Sequence, residues 1–155
     1  MQDRNIKILF VCHGNICRSP MAEFVMKRLV RERGIERDFI IESAATSREE
    51  LGNPVYPPAR RMLARHGISC SGKTAVRMTK SDYDKYDYIV AMDSMNVRNI
   101  MRIIGSDTKS KVSMLLDFTD HPRSVADPWY TGDFDSTYSD VTEGCQALLN
   151  TIISS

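Results

Sequence analysis

Ile6 to Cys12 is an apolar run broken only by Lys7, and just beyond it the apolar residues change to helical spacing. A strand without polar alternation needs cover on both faces, which places it in the middle of a parallel sheet. Met21, Phe24, Val25 and Leu29 then mark one face of a helix. Ser19 stands where an N-cap belongs, Pro20 where a first helical residue belongs, and Glu23 near the positive end, so the helix is expected to reach about Arg33 and stop at Gly34.

The same alternation continues along the chain. Phe39 to Ser43 reads as a second strand, and Pro57-Pro58 opens a helix through Arg61, Met62 and Leu63 that Gly67 closes. Tyr88 to Met92 is a third strand, followed by a helix from about Met95 to Ile104 and a fourth strand from Val112 to Leu116. Thr119 to Asp135 is polar and carries Pro and Gly, which predicts a loop. Val141, Cys145, Leu148, Leu149 and Ile152 draw a last helix. Strands alternating with helices imply an α/β fold, a parallel sheet with helices on both faces. With 155 residues and 42% hydrophobic content, residues 1–155 are expected to form one three-layer domain. There is no internal repeat and no low-complexity tract.

The residues joining the first strand to the first helix are Cys12-His13-Gly14-Asn15-Ile16-Cys17-Arg18-Ser19-Pro20. Ligands of open α/β sheets bind beyond the carboxyl ends of strands, and the following helix aims N–H groups and a positive dipole end at the same place. Arg18 adds a planar cationic fork that matches two phosphate oxygens. Gly14 and Asn15 tolerate the left-handed backbone that curls amides around a tetrahedral anion. An ordinary thiol is mostly protonated at neutral pH, but a helix N-terminus and a nearby cation favour its thiolate. Cys12 is therefore a candidate nucleophile in an anion site. An isolated strand-end cysteine would more simply be inert packing, but Arg18 weighs against that here, because a cation in the first turn opposes the dipole unless an anion joins it. A zinc site is disfavoured because Cys12-x4-Cys17 lacks a second close ligand pair, and no metal or other cofactor is expected.

The formal charge of +1 with mixed signs gives no case for binding nucleic acid or a membrane surface. No apolar run approaches the roughly 18 residues of a membrane span, and Met1 to Asn5 lacks a signal-peptide core. Four cysteines without a disulfide-framework spacing fit a reducing compartment, so a cytoplasmic protein is expected. Oligomeric state is not legible at this level.

The Cys12-x5-Arg18-Ser19 loop so near the N-terminus, with Ala126-Asp127-Pro128-Trp129-Tyr130 far downstream, resembles the low-molecular-weight protein tyrosine phosphatases. The resemblance extends through Ser43-Ala44-Ala45-Thr46-Ser47 and Met92-Asp93-Ser94-Met95-Asn96. It implies strand order 2-1-3-4 and a phosphomonoesterase acting on phosphotyrosine proteins or peptides. Cys12 would attack phosphorus and form a phosphocysteine, Arg18 with the amides of His13, Gly14, Asn15, Ile16 and Cys17 would hold the phosphoryl group, and Asp127 would protonate the leaving oxygen. Ser19 would cap the helix and, at other moments, hydrogen-bond the thiolate. Asn15, Ser19 and Ser43 would support the loop, while Trp129 and Tyr130 would wall the cleft. Pro128 biases Asp127 to an extended backbone, although Asp-Pro alone is a common turn opener. Cys17 is either a redox partner of Cys12 or a packing residue; Cys70 and Cys145 read as packing, and His66 as a helix C-cap.

Two departures from the family stand out. Arg48-Glu49-Glu50-Leu51 replaces the usual substrate-stacking aromatic, so that Glu49 would meet the ring, and the histidine that supports the loop is missing around Ser71-Gly72-Lys73-Thr74. Rival readings on the same fold are an arginine phosphatase, disfavoured because Ile16 stands where threonine is usual, and an arsenate reductase, disfavoured because Cys70 lacks a nearby partner. A phosphoprotein-binding module need not keep nucleophile, arginine and acid together. A nucleotide-binding protein would need a Gly-Lys-Ser/Thr loop.

Overall fold

The computed structural model describes residues 5–155. Four parallel strands, β1 (Ile6–Cys12), β2 (Phe39–Ala45), β3 (Tyr88–Ala91) and β4 (Val112–Met114), lie in the order β2-β1-β3-β4. Because β1 pairs with β2 on one side and β3 on the other, the chain leaves β1 in one direction and returns past it in the other. The crevice at that reversal lies at the carboxyl ends of β1 and β3.

Both faces of β1 are covered. Ile8, Phe10 and Cys12 face a core built with Met21, Val25 and Met26 of α1 (Arg18–Glu32) and Met62 and Leu63 of α2 (Pro57–Arg65). After the four-residue α3 (Asp82–Lys85) come α4 (Ser94–Ile104), α5 (Pro128–Thr131) and α6 (Phe134–Ser154). Val141, Cys145, Leu148 and Leu149 of α6 complete that first core. Leu9 and Val11 face the second, with Tyr83 of α3 and Ile100 and Ile104 of α4. The continuous apolar run of β1 is thus explained residue by residue, each fully buried large side chain contributing about 1.5–3 kcal/mol.

Several boundaries differ from expectation. β2 runs on to Ala45 because Ala44 and Ala45 pair with Val11 and Cys12, although small residues carry little strand propensity. β4 ends at Met114 rather than Leu116: Leu115–Phe118 turn into a 3-10 helix, with Asp117 accepting a bond from the Met114 amide at 2.9 Å. Leu115 sits over Gly144 of α6, where even a Cβ would come within 2.4 Å of Leu115 Cγ. The Thr119–Asp135 stretch is not all loop, since it contains α5, and α6 already begins at Phe134. Gly34 and Gly67 follow the ends of α1 and α2 with left-handed backbones, as helix-stopping glycines do. His66 is the C-cap residue of α2, yet its ring stacks on Tyr138 at 4.0 Å. Among the described residues, no helix is long and apolar enough to cross a membrane.

Candidate active site

Cys12 ends β1 and α1 begins six residues later, capped at Cys17. This corrects two local readings. Ser19 is the second helical residue rather than the N-cap, and Pro20 is the third rather than the first. Cys17 supplies no side-chain cap and the first turn holds no acidic residue, so the positive end of a 15-residue helix is left directed at the loop. Asn15 takes the left-handed backbone (φ 60°), as expected. Gly14 does not; space is its requirement, because a Cβ there would lie 3.3 Å from Glu50 Cγ.

The Ser19 hydroxyl lies 3.1 Å from Cys12 Sγ. It accepts a bond from Asn15 Nδ2 at 2.7 Å, and the same nitrogen donates to Ser43 Oγ at 3.0 Å. Asn15, Ser19 and Ser43 are all essentially buried, so the three expected supporting residues do meet. Two more join them. Ser43 Oγ donates to Glu23 Oε1 at 2.5 Å, and Lys73 Nζ donates to the Ser43 carbonyl at 2.9 Å. The segment around Ser71 to Thr74, which lacks the family's histidine, therefore still supplies a side chain to the loop's support.

Arg18 reaches the cleft with 3% of its side chain exposed. Its guanidinium donates to Asp93 Oδ2 at 2.6 Å, to the Val125 carbonyl at 2.9 Å and to Asp127 Oδ2 at 3.4 Å. Burial alone would lower its proton affinity, but Cys12, Asp93 and Asp127 outweigh burial and raise it; the cation is secure. Asp93 was visible in the sequence only as part of a matching segment without a role. It caps α4, accepting from the Asn96 amide at 2.8 Å while Asn96 Oδ1 accepts from the Asp93 amide. A capping aspartate directly after the central strand β3 is the signal that would have found it.

Asp127 caps α5, accepting from the Trp129 amide at 3.0 Å, and lies on the same cleft as Cys12 and Arg18. Trp129 tilts against Tyr56 with ring centroids 4.9 Å apart, and Tyr56, the N-cap of α2, is an aromatic beside the cleft wall that sequence reasoning missed. Cys12, His13, Gly14, Ile16, Cys17 and Arg18 line a cleft of about 130 Å³ whose other wall is Glu49, Glu50, Asp127, Trp129 and Tyr130. Glu49 is at the rim, as expected, but held by His13 Nε2 at 3.1 Å. Cys17 packs with Ile16 and Ala75 while also facing the cleft. Burial, then the neighbouring Cys12 and Asp127, push its thiol up to about 12. Cys70 and Cys145 are buried in the first core, as expected of packing residues.

A family model described as low molecular weight phosphotyrosine protein phosphatase matches residues 7–155. The chain is 38% identical over 149 residues to the low molecular weight protein-tyrosine-phosphatase YfkJ of Bacillus subtilis, covering 95% of this chain and 96% of that one. It is 37% identical over 147 residues to the human low molecular weight phosphotyrosine protein phosphatase, covering 92% of each. The crystal structure of YfkJ superposes with a TM-score of 0.96 over 99% of this chain and 98% of that one. That of the drosophila arginine phosphatase DARP superposes with a TM-score of 0.86 at 29% identity, over 95% and 98%.

Proposed function

The chain belongs to the low molecular weight phosphotyrosine protein phosphatase family, and from that premise we propose that residues 1–155 act as one catalytic domain hydrolysing phosphotyrosine in proteins or peptides. The observation that carries the reading is the meeting of Cys12, Arg18 and Asp127 in one cleft. Cys12 Sγ attacks phosphorus in line, the bond from phosphorus to the phenolic oxygen breaks, and Asp127 gives its proton to that oxygen. Arg18 and the amides of residues 13–18 bind the equatorial oxygens as charge redistributes. The incoming dianion competes with Asp127 for Arg18. The Asp127 carboxylate left after the first step then takes a proton from water, whose oxygen displaces sulfur and frees inorganic phosphate. Trp129 and Tyr130 wall the tyrosine ring, with Glu49 across from them. No cofactor takes part in these steps.

The Cys12→Ser variant tests the reading. It should lose turnover while keeping its fold and vanadate binding, since Arg18 and the loop amides remain; undiminished hydrolysis would remove Cys12 from the mechanism. Phosphotyrosine, phosphoserine and phosphoarginine peptides should be compared in the same assay. The likeness to DARP makes phosphoarginine the second substrate to try, and Ile16 in place of threonine favours tyrosine. The four cysteines are unpaired thiols, which supports work in the reducing cytoplasm.

A further inference from the structure

Behind the phosphate loop a chain of buried polar groups runs from Cys12 to the outer edge of the sheet. Each hydrogen in it has one direction open. Asn15 Nδ2 spends both N–H donors on Ser19 and Ser43, and Asn15 Oδ1 accepts from the Val76 amide at 3.2 Å, so flipping the amide would break three bonds. Ser19, already an acceptor from Asn15, has its own hydrogen left for Cys12 Sγ. Ser43, also an acceptor from Asn15, gives its hydrogen to Glu23. The chain therefore ends on an acceptor, Glu23 Oε1, which takes the Ser43 hydrogen.

Glu23 is only 4% exposed, and a carboxylate so buried requires compensation. Lys27 stands 2.6 Å away on the same helix, with 40% of its side chain in water. Lys73 comes from a separate segment, has 12% exposure, and lies 3.6 Å from the Glu23 oxygen that Ser43 uses. It is also bonded to the Ser43 carbonyl, on the outer edge of edge strand β2. Burial draws its ammonium below the ordinary lysine range, and Glu23 works in the opposite direction, with Lys27 and Glu42 the other charges it feels.

We infer that Lys73 is a positioning residue for the nucleophile: its ammonium compensates the buried Glu23 carboxylate and holds Ser43 in place, and so keeps the Ser19 hydroxyl aimed at the Cys12 sulfur. This rests on the reading of Cys12 given above. Substrate never touches Lys73; its effect arrives through four side chains.

The test is the pH profile of Cys12 alkylation by iodoacetamide, read by mass spectrometry with and without inorganic phosphate as protectant. Cys17, Cys70 and Cys145 have thiols raised by burial and should react slowly. In Lys73→Met the midpoint of the profile should move up by about one pH unit, which is about a tenfold slower reaction on the acid side. Lys73→Arg should stay within about threefold of the wild type, and Lys73→Gln, which keeps a donor without charge, should behave like the Met variant. Ser43→Ala should show the same shift, and Lys73→Met with Ser43→Ala should show no more than either alone, because both cut one chain. A midpoint unchanged in the Met and Gln variants, including a uniform slowing at every pH, would overturn the inference, as would multiplying losses in the double variant. If the wild type itself has no phosphate-protected thiol, the nucleophile reading falls with it; if it has one and Lys73→Met matches it, only the role of Lys73 falls.

Discussion

Asp93 holds Arg18 and caps α4 with different oxygens: Oδ2 takes the guanidinium at 2.6 Å and Oδ1 takes the Asn96 amide at 2.8 Å. Substitution can separate the two jobs. Asparagine caps a helix about as well as aspartate but brings no charge, whereas alanine does neither. Losing a charge-assisted bond to a buried guanidinium costs about 1.5–3 kcal/mol, and losing the cap about 1 kcal/mol more. At about 2–4 °C per kcal/mol for a chain of this size, Asp93→Asn should lower the melting temperature by roughly 3–12 °C and Asp93→Ala by a further 2–4 °C. The kinetic effect comes from orientation. A freed arginine regains up to about 2 kcal/mol of rotamer entropy, but the Val125 carbonyl and Asp127 still hold Arg18, so about half of that is expected at the transition state. One kcal/mol is about fivefold, which puts the fall in kcat at about fivefold for both variants. Phosphate affinity should not weaken, because a carboxylate that repels the dianion has been removed. Initial rates on an aryl phosphate, phosphate inhibition and thermal unfolding measure all three. Unchanged kcat in Asp93→Asn, or equal melting temperatures for the two variants, would refute the division of labour.

Asp127→Asn keeps the α5 cap and removes the proton, so the formation of phosphocysteine should slow by roughly 10²- to 10⁴-fold with a phenol leaving group and less with a nitrophenol; equal losses measured in single turnover would place the acid elsewhere. Peroxide should convert Cys12 to a sulfenic acid that the Cys17 thiolate attacks, expelling hydroxide. With the Cys17 thiol at about 12, its thiolate fraction grows about tenfold per pH unit below that value, so disulfide formation followed by quenched mass spectrometry should accelerate steeply between pH 7 and 9. A pH-independent rate would show that Cys17 is already ionised or takes no part. Gly144→Ala presses a methyl group on Leu115 and should cost about 1–3 kcal/mol in denaturant unfolding; a neutral result would mean that Leu115 can retreat.

The sheet was legible because β1 needs both faces covered, and that demand shows in seven consecutive residues. Cys12 and Arg18 stood out because a first-turn arginine beside a strand-end thiol makes sense only around an anion, whereas Asp127 came from the resemblance alone. Asp93, Tyr56 and Lys73 were not legible. Each does its work through a contact between segments far apart in sequence, 75 residues apart in the case of Arg18 and Asp93, and the capping position of Asp93 hints at its place but not at its partner. The misread cap at Ser19 has another cause. Propensity gives a serine before a proline to the helix end, whereas here the hydroxyl is drawn toward Cys12 and Asn15. Gly14 was assigned backbone freedom when what it supplies is room.

The bond between Arg18 and Asp127 spans 109 residues, and that span sets a clock on biosynthesis. At about 5–20 residues per second, a ribosome needs roughly 5–20 s to travel from one partner to the other. Throughout that interval the nascent chain already carries its thiol and arginine, but neither the acid nor the last helix that packs on α1. The order of the segments thus delays the closing of the cleft around Cys12 and Arg18 until residues beyond Asp127 have been made.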